Sequence, residues 1–83
     1  MEIRTLKYFL VIVYEESISK AAQILHITQP TLSRQMMRLE KNLGVTLFLR
    51  GKTKISLTAE GSILKGRAIE ILDLVDKTVN ELS

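Results

Sequence analysis

The sequence has no cysteine and no tryptophan, and it holds one histidine and one proline. Without cysteine there can be no disulfide scaffold and no thiolate metal or redox site, and one histidine cannot build a structural zinc cluster. We therefore expect neither a metal nor a cofactor. No apolar run approaches the roughly 18 residues of a membrane span, and Glu2 does not suit a signal peptide. These absences predict one small cytoplasmic domain of 83 residues without membrane contact.

The basic side chains are concentrated in the middle of the chain. Residues 28–67 carry eight lysines and arginines against two acids, residues 1–27 are neutral overall, and residues 68–83 carry one lysine against four acids. A basic centre between neutral and acidic ends fits a surface that binds a polyanion. Lysine and arginine also cover ordinary solvated helix faces, so charge alone leaves nucleic-acid binding open.

Apolar residues at helical spacing predict a first helix over residues 3–15 and a short second helix that ends at Leu25. In the first helix Leu6, Phe9, Leu10 and Val13 lie at helical spacing. Further apolar residues, Tyr8, Val11, Ile12 and Tyr14, widen the apolar surface beyond one stripe, so this helix should contact more than one neighbour. Ser17 and Ser19 are alternative N-caps of the second helix. His26 lies where the chain leaves that helix, and histidine tolerates the left-handed conformation of a tight turn. A partly exposed loop residue is the other interpretation of His26.

A third helix should begin after Thr28 and stop at Gly44. Thr28 is a good N-cap, and Pro30 falls in the first turn, where its missing N–H costs no hydrogen bond. Glycine at the other end is typical of a helix C-terminus. The predicted inward stripe is Leu32, Met36, Leu39 and Leu43. The opposite, outward face then holds Pro30, Ser33, Arg34, Met37 and Lys41.

After Gly44 the apolar period changes to about two. Residues 45–50 and 55–57 are strand candidates around a basic tip, which predicts a hairpin. Thr58 then caps a fourth helix that runs to about Leu82. Its apolar stripe follows the spacing of a coiled-coil seam and exceeds what three short helices can cover, so part of it should meet another chain. The predicted dimer contacts are Leu64, Ala68, Ile71, Leu72, Val75, Val79 and Leu82.

Two helices joined by a short turn, with a basic hairpin after the second, form a winged helix-turn-helix. The predicted fold is therefore mainly α with a small β-hairpin. Residues 1–58 would form the winged helix-turn-helix, and residues 59–83 a long linker helix for dimerisation.

In such a domain the third helix enters the major groove of double-stranded DNA. There Gln29 suits adenine and Arg34 suits guanine, while the hairpin tip reaches phosphates or the minor groove. The candidate DNA contacts are Ser19, Gln29, Pro30, Thr31, Ser33, Arg34, Arg38, Arg50, Lys52 and Lys54. The alternatives are an exposed helix start at Gln29, a solvated charge at Arg34, a core-facing Thr31 and an ordinary charged turn at the tip.

Several blocks of this sequence together resemble the N-terminal DNA-binding domain of the LysR-type transcriptional regulators. The blocks are Leu6-Lys7-Tyr8-Phe9, Ser17-Ile18-Ser19-Lys20-Ala21-Ala22, Leu25-His26-Ile27-Thr28-Gln29-Pro30-Thr31-Leu32-Ser33-Arg34-Gln35, Leu39-Glu40, Leu43-Gly44-Val45, Leu47-Phe48, Arg50 and Leu57-Thr58-Ala59-Glu60-Gly61. Their order and spacing are specific, and they cover essentially the whole chain without an insertion.

The resemblance implies that Gln29, Pro30, Ser33 and Arg34 read the major groove and that the hairpin is the wing. It implies a homodimer on an interrupted palindrome, commonly a tetramer in full-length regulators. A small-molecule effector would act only through a C-terminal domain that is absent from this chain. At two positions the sequence differs from the family pattern, and both differences lower the positive charge of the wing. Leu49 is apolar where a charged residue is common, and Ser56 stands where a basic one is frequent.

Two other classes of function compete with DNA binding. A helical protein-interaction module would use the apolar fourth helix to recruit a different protein. Replacing Arg34 by alanine separates the two, because it should abolish base-specific binding and leave the assembly of the fourth helix intact. An enzyme is not expected, since the sequence offers no nucleophile–histidine–acid arrangement, no paired carboxylates and no glycine-rich phosphate loop.

Overall fold

The computed structural model describes residues 1–51 and 54–83. Within these ranges the elements are α1 (Ile3–Glu15), α2 (Ile18–Leu25), α3 (Gln29–Leu43), β1 (Phe48–Arg50), β2 (Ile55–Leu57) and α4 (Ala59–Leu82). The helices pack on one another, and the two strands pair as an antiparallel hairpin. The predicted fold class, mainly α with a small hairpin and a long last helix, is confirmed.

Helices α2, α3 and α4 begin at N-caps that the sequence pattern predicts. Thr28 Oγ1 accepts a hydrogen bond from the backbone N–H of Thr31 at 3.3 Å, and Thr58 Oγ1 accepts one from Gly61 at 2.9 Å. Of the two candidate caps of α2, Ser17 is the one used, because its hydroxyl accepts from the N–H of Lys20 at 3.1 Å. Each cap satisfies a backbone donor that the first turn of a helix leaves free.

Three helices end on a residue with positive φ. His26 ends α2 at φ 58° and Gly44 ends α3 at φ 71°, as predicted. Glu16 ends α1 at φ 55°, which the sequence pattern did not indicate. The backbone carbonyl of Glu16 then accepts a hydrogen bond from the N–H of Ile55 at 3.2 Å. This turn therefore attaches the hairpin to the end of α1.

The core lies where α1, α2 and α3 meet and where the hairpin and α4 cover them. Its buried members are Leu6, Phe9, Leu10, Ile12, Ile18, Ala21, Ala22, Leu32, Met36, Leu39, Leu47, Phe48 and Ala68. Two residues of the predicted stripes are less buried than expected. Val13 is only partly buried, whereas Ile12 is fully buried because α1 contacts more than one neighbour, as its wide apolar surface predicts. Leu43 is 40% exposed, because burial along α3 ends at Leu39.

The first strand is shorter than the predicted 45–50. It begins at Phe48, which pairs with Leu57, and Arg50 pairs with Ile55. Leu47 stays outside the ladder because its backbone groups bond elsewhere. Its N–H donates to the Glu40 carboxylate at 2.7 Å, and its carbonyl accepts from the N–H of Thr58 at 3.0 Å.

The long helix α4 divides into a packed half and an exposed half. Ala68 is fully buried in this chain's own core, and Leu64, Ile71 and Leu72 pack partly against it. Beyond them Val79 is 60% exposed. No helix in the described ranges is long and apolar enough to cross a membrane.

Candidate nucleic-acid interface

The exposed surface of α3 carries most of the residues selected from the sequence. Gln29, Pro30 and Arg34 are exposed, Ser33 is half-buried, and Arg38 is exposed one turn beyond Arg34. Met37 lies among them and is 60% exposed, as its place on the predicted outward face indicates. The face therefore offers amide, hydroxyl and guanidinium donors beside one apolar side chain, which are the groups that base edges require.

A short chain of hydrogen bonds organises the first turn of α3. The hydroxyl of Thr28 donates to Thr31 Oγ1 at 2.8 Å, and Arg34 Nη2 donates to the same oxygen at 3.4 Å. Thr31 is half-buried at the rim of the helix and not packed inside the core. Its hydroxyl thus orients the guanidinium of Arg34, and the alternative of a core-facing Thr31 is not what the structure has.

The start of α2 meets the start of α3 through one side-chain contact. Ser19 Oγ donates to Gln29 Oε1 at 3.2 Å. Both side chains line a groove of about 240 Å³ that we call the wing groove, whose other walls are Glu16, Ser17, Ile18, Gly51, Lys54 and Ile55. Two residues ten positions apart in the sequence are therefore brought to one surface beside the hairpin.

The charge of Lys54 in the wing groove is partly compensated. Its Nζ lies 3.0 Å from Glu16 Oε2, and the two side chains are 64% and 52% exposed. An exposed pair of this kind contributes only about 0–1 kcal/mol, so a phosphate can compete with Glu16 for the ammonium group. The sequence did not reveal this partner, because Glu16 and Lys54 come together only through the attachment of the hairpin to α1.

Two further hairpin residues, Arg50 and Leu49, lie on the exposed surface of the wing. Arg50 is exposed on β1, and Leu49 is 55% exposed. The predicted contact Lys52 lies outside the described residues. The described part of the wing thus presents the cation Arg50 next to an apolar side chain.

Arg38 lies on the other side of α3, away from the wing groove. It lines a separate cleft together with residues of α1.

Among the described residues, no group of three or more histidine, aspartate or glutamate side chains is placed to hold a metal ion.

The predicted dimer contacts on α4 are not equally available to another chain. Val79 and Leu82 are 60% and 83% exposed, whereas Ala68 has no exposed surface left. Leu64, Ile71, Leu72 and Val75 are half-buried. Three further large apolar side chains of α4 are exposed but were not among the predicted contacts, namely Ile63, Ile69 and Leu74.

A family model described as a bacterial regulatory helix-turn-helix protein of the lysR family matches residues 3–62. Among curated proteins, the chain is 48% identical over 83 residues to the HTH-type transcriptional regulator BsdA of Bacillus subtilis (strain 168). The matched region is 99% of this chain and 29% of BsdA. The chain therefore spans less than a third of that relative's length.

Solved structures with the same fold include DNA complexes. The complex of the BenM DNA-binding domain with catB site 1 DNA has a TM-score of 0.95 and 44% identity, covering 99% of this chain and 91% of that one. The complex of the CbnR DNA-binding domain with DNA has a TM-score of 0.93 and 40% identity, covering 98% and 93% of the two chains.

Proposed function

The chain belongs to the LysR family of bacterial regulatory helix-turn-helix proteins, and we propose that it binds double-stranded DNA sequence-specifically as the DNA-binding domain of a transcriptional regulator. The observation that carries the proposal is the exposed start of α3, where Gln29 and Arg34 are each held by a neighbouring hydroxyl. An arginine suits guanine O6 and N7, and a glutamine suits adenine. A catalytic role forms no part of this proposal.

In the proposed complex α3 is the recognition helix and lies in the major groove. Pro30 and Ser33 accompany Arg34 on the side that faces the bases, while Ser19 and Lys54 reach the phosphates beside the wing groove. Lys54 would exchange its contact with Glu16 for one with DNA. Arg50 would follow the flanking backbone or the adjacent minor groove, where narrow A/T-rich segments attract arginine.

We also propose that two copies pair through the exposed half of α4. Exposed apolar residues such as Val79 and Leu82 have no cover within the described part of the chain. A symmetric pair would place two recognition helices on two-fold-related half-sites, about 34 Å or a multiple of it apart. In a full-length regulator, a small-molecule effector would act through a separate domain. Contacts made by the rest of that longer protein would join two dimers into a tetramer.

The first experiment is selection of fragments from bacterial genomic DNA with the purified chain at physiological salt, followed by sequencing. Recovery of a shared interrupted palindrome is the expected result, and the Arg34→Ala variant should not recover it. Retention of DNA without a common sequence would mean that the chain binds only the phosphate backbone and does not recognise a base sequence. No retention at all, together with assembly through α4, would favour the protein-interaction module instead.

A further inference from the structure

A cleft flanks α3 on the side away from the hairpin. It lies between the start of α1 and the second half of α3 and has a volume of about 120 Å³. Its lining residues are Met1, Glu2, Arg4, Thr5, Gln35, Arg38, Leu39 and Asn42. Thr5, Gln35 and Asn42 can each donate a hydrogen bond as well as accept one, and Arg4 and Arg38 can only donate. The latter two carry guanidinium groups, whose planar fork matches the oxygens of a phosphate.

The cleft is nearly uncompensated in charge. Arg4 Nη2 lies 3.8 Å from Glu2 Oε2, and these two side chains are 67% and 74% exposed, so the pair is weak. Arg38 makes no ion pair with any residue that the structure describes. Two like charges that share a cleft with one loosely held acid leave a site with net positive charge for an anion.

The cleft and the wing groove lie on opposite sides of the recognition helix. Gln29 lines the wing groove and Arg38 lines the cleft. At 3.6 residues per turn, their separation in sequence corresponds to about two and a half turns, which places them on opposite sides of the helix axis. Arg34 lies between them, one turn before Arg38. The base-reading residues are therefore bordered on both sides by a polar recess.

A helix in the major groove is likewise bordered on both sides by a phosphodiester backbone. If the wing groove meets one strand, the cleft faces the other. We propose that Arg4 and Arg38 form a second phosphate-binding site, which holds the DNA backbone on the side of the recognition helix opposite the wing. This inference rests on the proposed function, and it adds Arg4, Thr5 and Gln35 to the DNA-binding surface.

Phosphate contacts carry no sequence information, so the site has a distinctive signature. Removing it weakens binding to every duplex alike and lowers the salt dependence, because the slope of log affinity against log salt changes by about 0.9 for each phosphate that the protein no longer neutralises. Removing the Arg34 side chain instead changes the preference among sequences. The cleft thus anchors the recognition helix and does not read bases.

The test compares Arg4→Gln and Arg38→Gln with Arg67→Gln, which removes an exposed arginine from α4 outside both recesses. Affinity is measured against potassium chloride concentration for the duplex recovered by selection and for a scrambled duplex of the same length. Each cleft variant should bind both duplexes about tenfold more weakly, as expected for one charge-assisted hydrogen bond, with a shallower salt slope. Arg67→Gln should match the unmodified chain. Cleft variants with the slope of Arg67→Gln would overturn the proposal.

Neutral methylphosphonate groups, which replace single phosphates of the duplex, locate the contact. When each position of each strand is replaced in turn, one replacement should weaken binding of the unmodified chain and have no further effect on Arg38→Gln. Equal effects on both proteins at every position would also contradict the site.

Binding of inorganic phosphate at constant ionic strength distinguishes a site for small free anions from a site for the DNA backbone. If the cleft variants no longer bind inorganic phosphate but keep the DNA affinity and salt slope of the unmodified chain, the cleft serves a small anion and not the DNA backbone. Failure of the proposed function looks different, because the unmodified chain would then fail to prefer the selected duplex over the scrambled one.

Discussion

The carboxylate of Glu40, on α3, accepts a 2.7 Å hydrogen bond from the backbone N–H of Leu47 at the entrance to the hairpin. The same oxygen lies 3.4 Å from the N–H of Phe48. The backbone carbonyl of Glu40 accepts further hydrogen bonds from Gly44 and Val45. One residue thus joins α3, the proposed recognition helix, to the hairpin beside it.

Glu40→Ala should lower the free energy of unfolding by about 1–3 kcal/mol, because it leaves the half-buried N–H of Leu47 without its acceptor. Urea denaturation followed by circular dichroism measures the change. Glu70→Ala, which removes an exposed carboxylate on α4, is the matched control and should stay within about 0.5 kcal/mol of the unmodified chain. Equal destabilisation in both variants would show that the hydrogen bond of Glu40 contributes nothing of its own.

Gly61→Ala should destabilise the fold, whereas Gly66→Ala should not. A β-carbon at Gly61 would collide with the backbone carbonyl of Leu47 and come within 2.9 Å of Leu57 Cδ2, while one at Gly66 meets no atom within 4 Å. Since alanine favours a helix over glycine, Gly66→Ala should gain about 0.5–1 kcal/mol. Thermal unfolding measures the Tm of both variants. Similar shifts in Tm would mean that α4 can move away from the hairpin without loss of stability.

Arg34→Lys should keep general DNA affinity and lose discrimination at one base pair. Lysine retains the charge but not the planar fork that contacts guanine O6 and N7. We expect binding to the selected duplex to weaken by about 1–3 kcal/mol, with little change on a scrambled one. Competition binding with both duplexes measures the ratio. A uniform decrease on both would assign Arg34 to the phosphates instead.

Val79→Asp should shift the chain from dimer to monomer. Val79 is 60% exposed, so an aspartate there leaves this chain's own core intact and places a charge in the proposed contact between copies. Ile71 is a poorer site for this test, because it packs partly against the core of its own chain. Sedimentation velocity is the measurement, with Asn80→Asp as a control that adds the same charge at the adjacent exposed position. An unchanged dimer for Val79→Asp would place the interface elsewhere.

Leu39→Ala should cost about 2–5 kcal/mol of stability through the cavity that it leaves. Leu39 is 2% exposed, whereas Met37, two residues away on α3, is 60% exposed. Met37→Ala should therefore change the unfolding free energy little. Denaturant titration of both variants compares them, and a reversed order would mean that the inward face of α3 is misassigned.

Local chemistry determined the helices of this protein. Thr28, Thr58, His26 and Gly44 act on backbone groups within a few residues, and the apolar period identifies the buried face over the same short range. The bounds of α1 and α4, the end of α2 and the start of α3 therefore follow from the sequence, as does the composition of the exposed face of α3. The choice between Ser17 and Ser19 as the cap of α2 does not. The exposure of Leu43 does not follow from the sequence either, because that exposure depends on where the neighbouring elements stop.

Tertiary structure decided the contacts between residues distant in the chain. Glu40 shortens β1 by engaging Leu47, and the turn at Glu16 brings its carboxylate to Lys54. The packing of α4 on α1 covers Ala68, which the coiled-coil spacing alone assigns to a partner chain. Periodicity tells which residues share a face, but only the packed elements decide what that face meets.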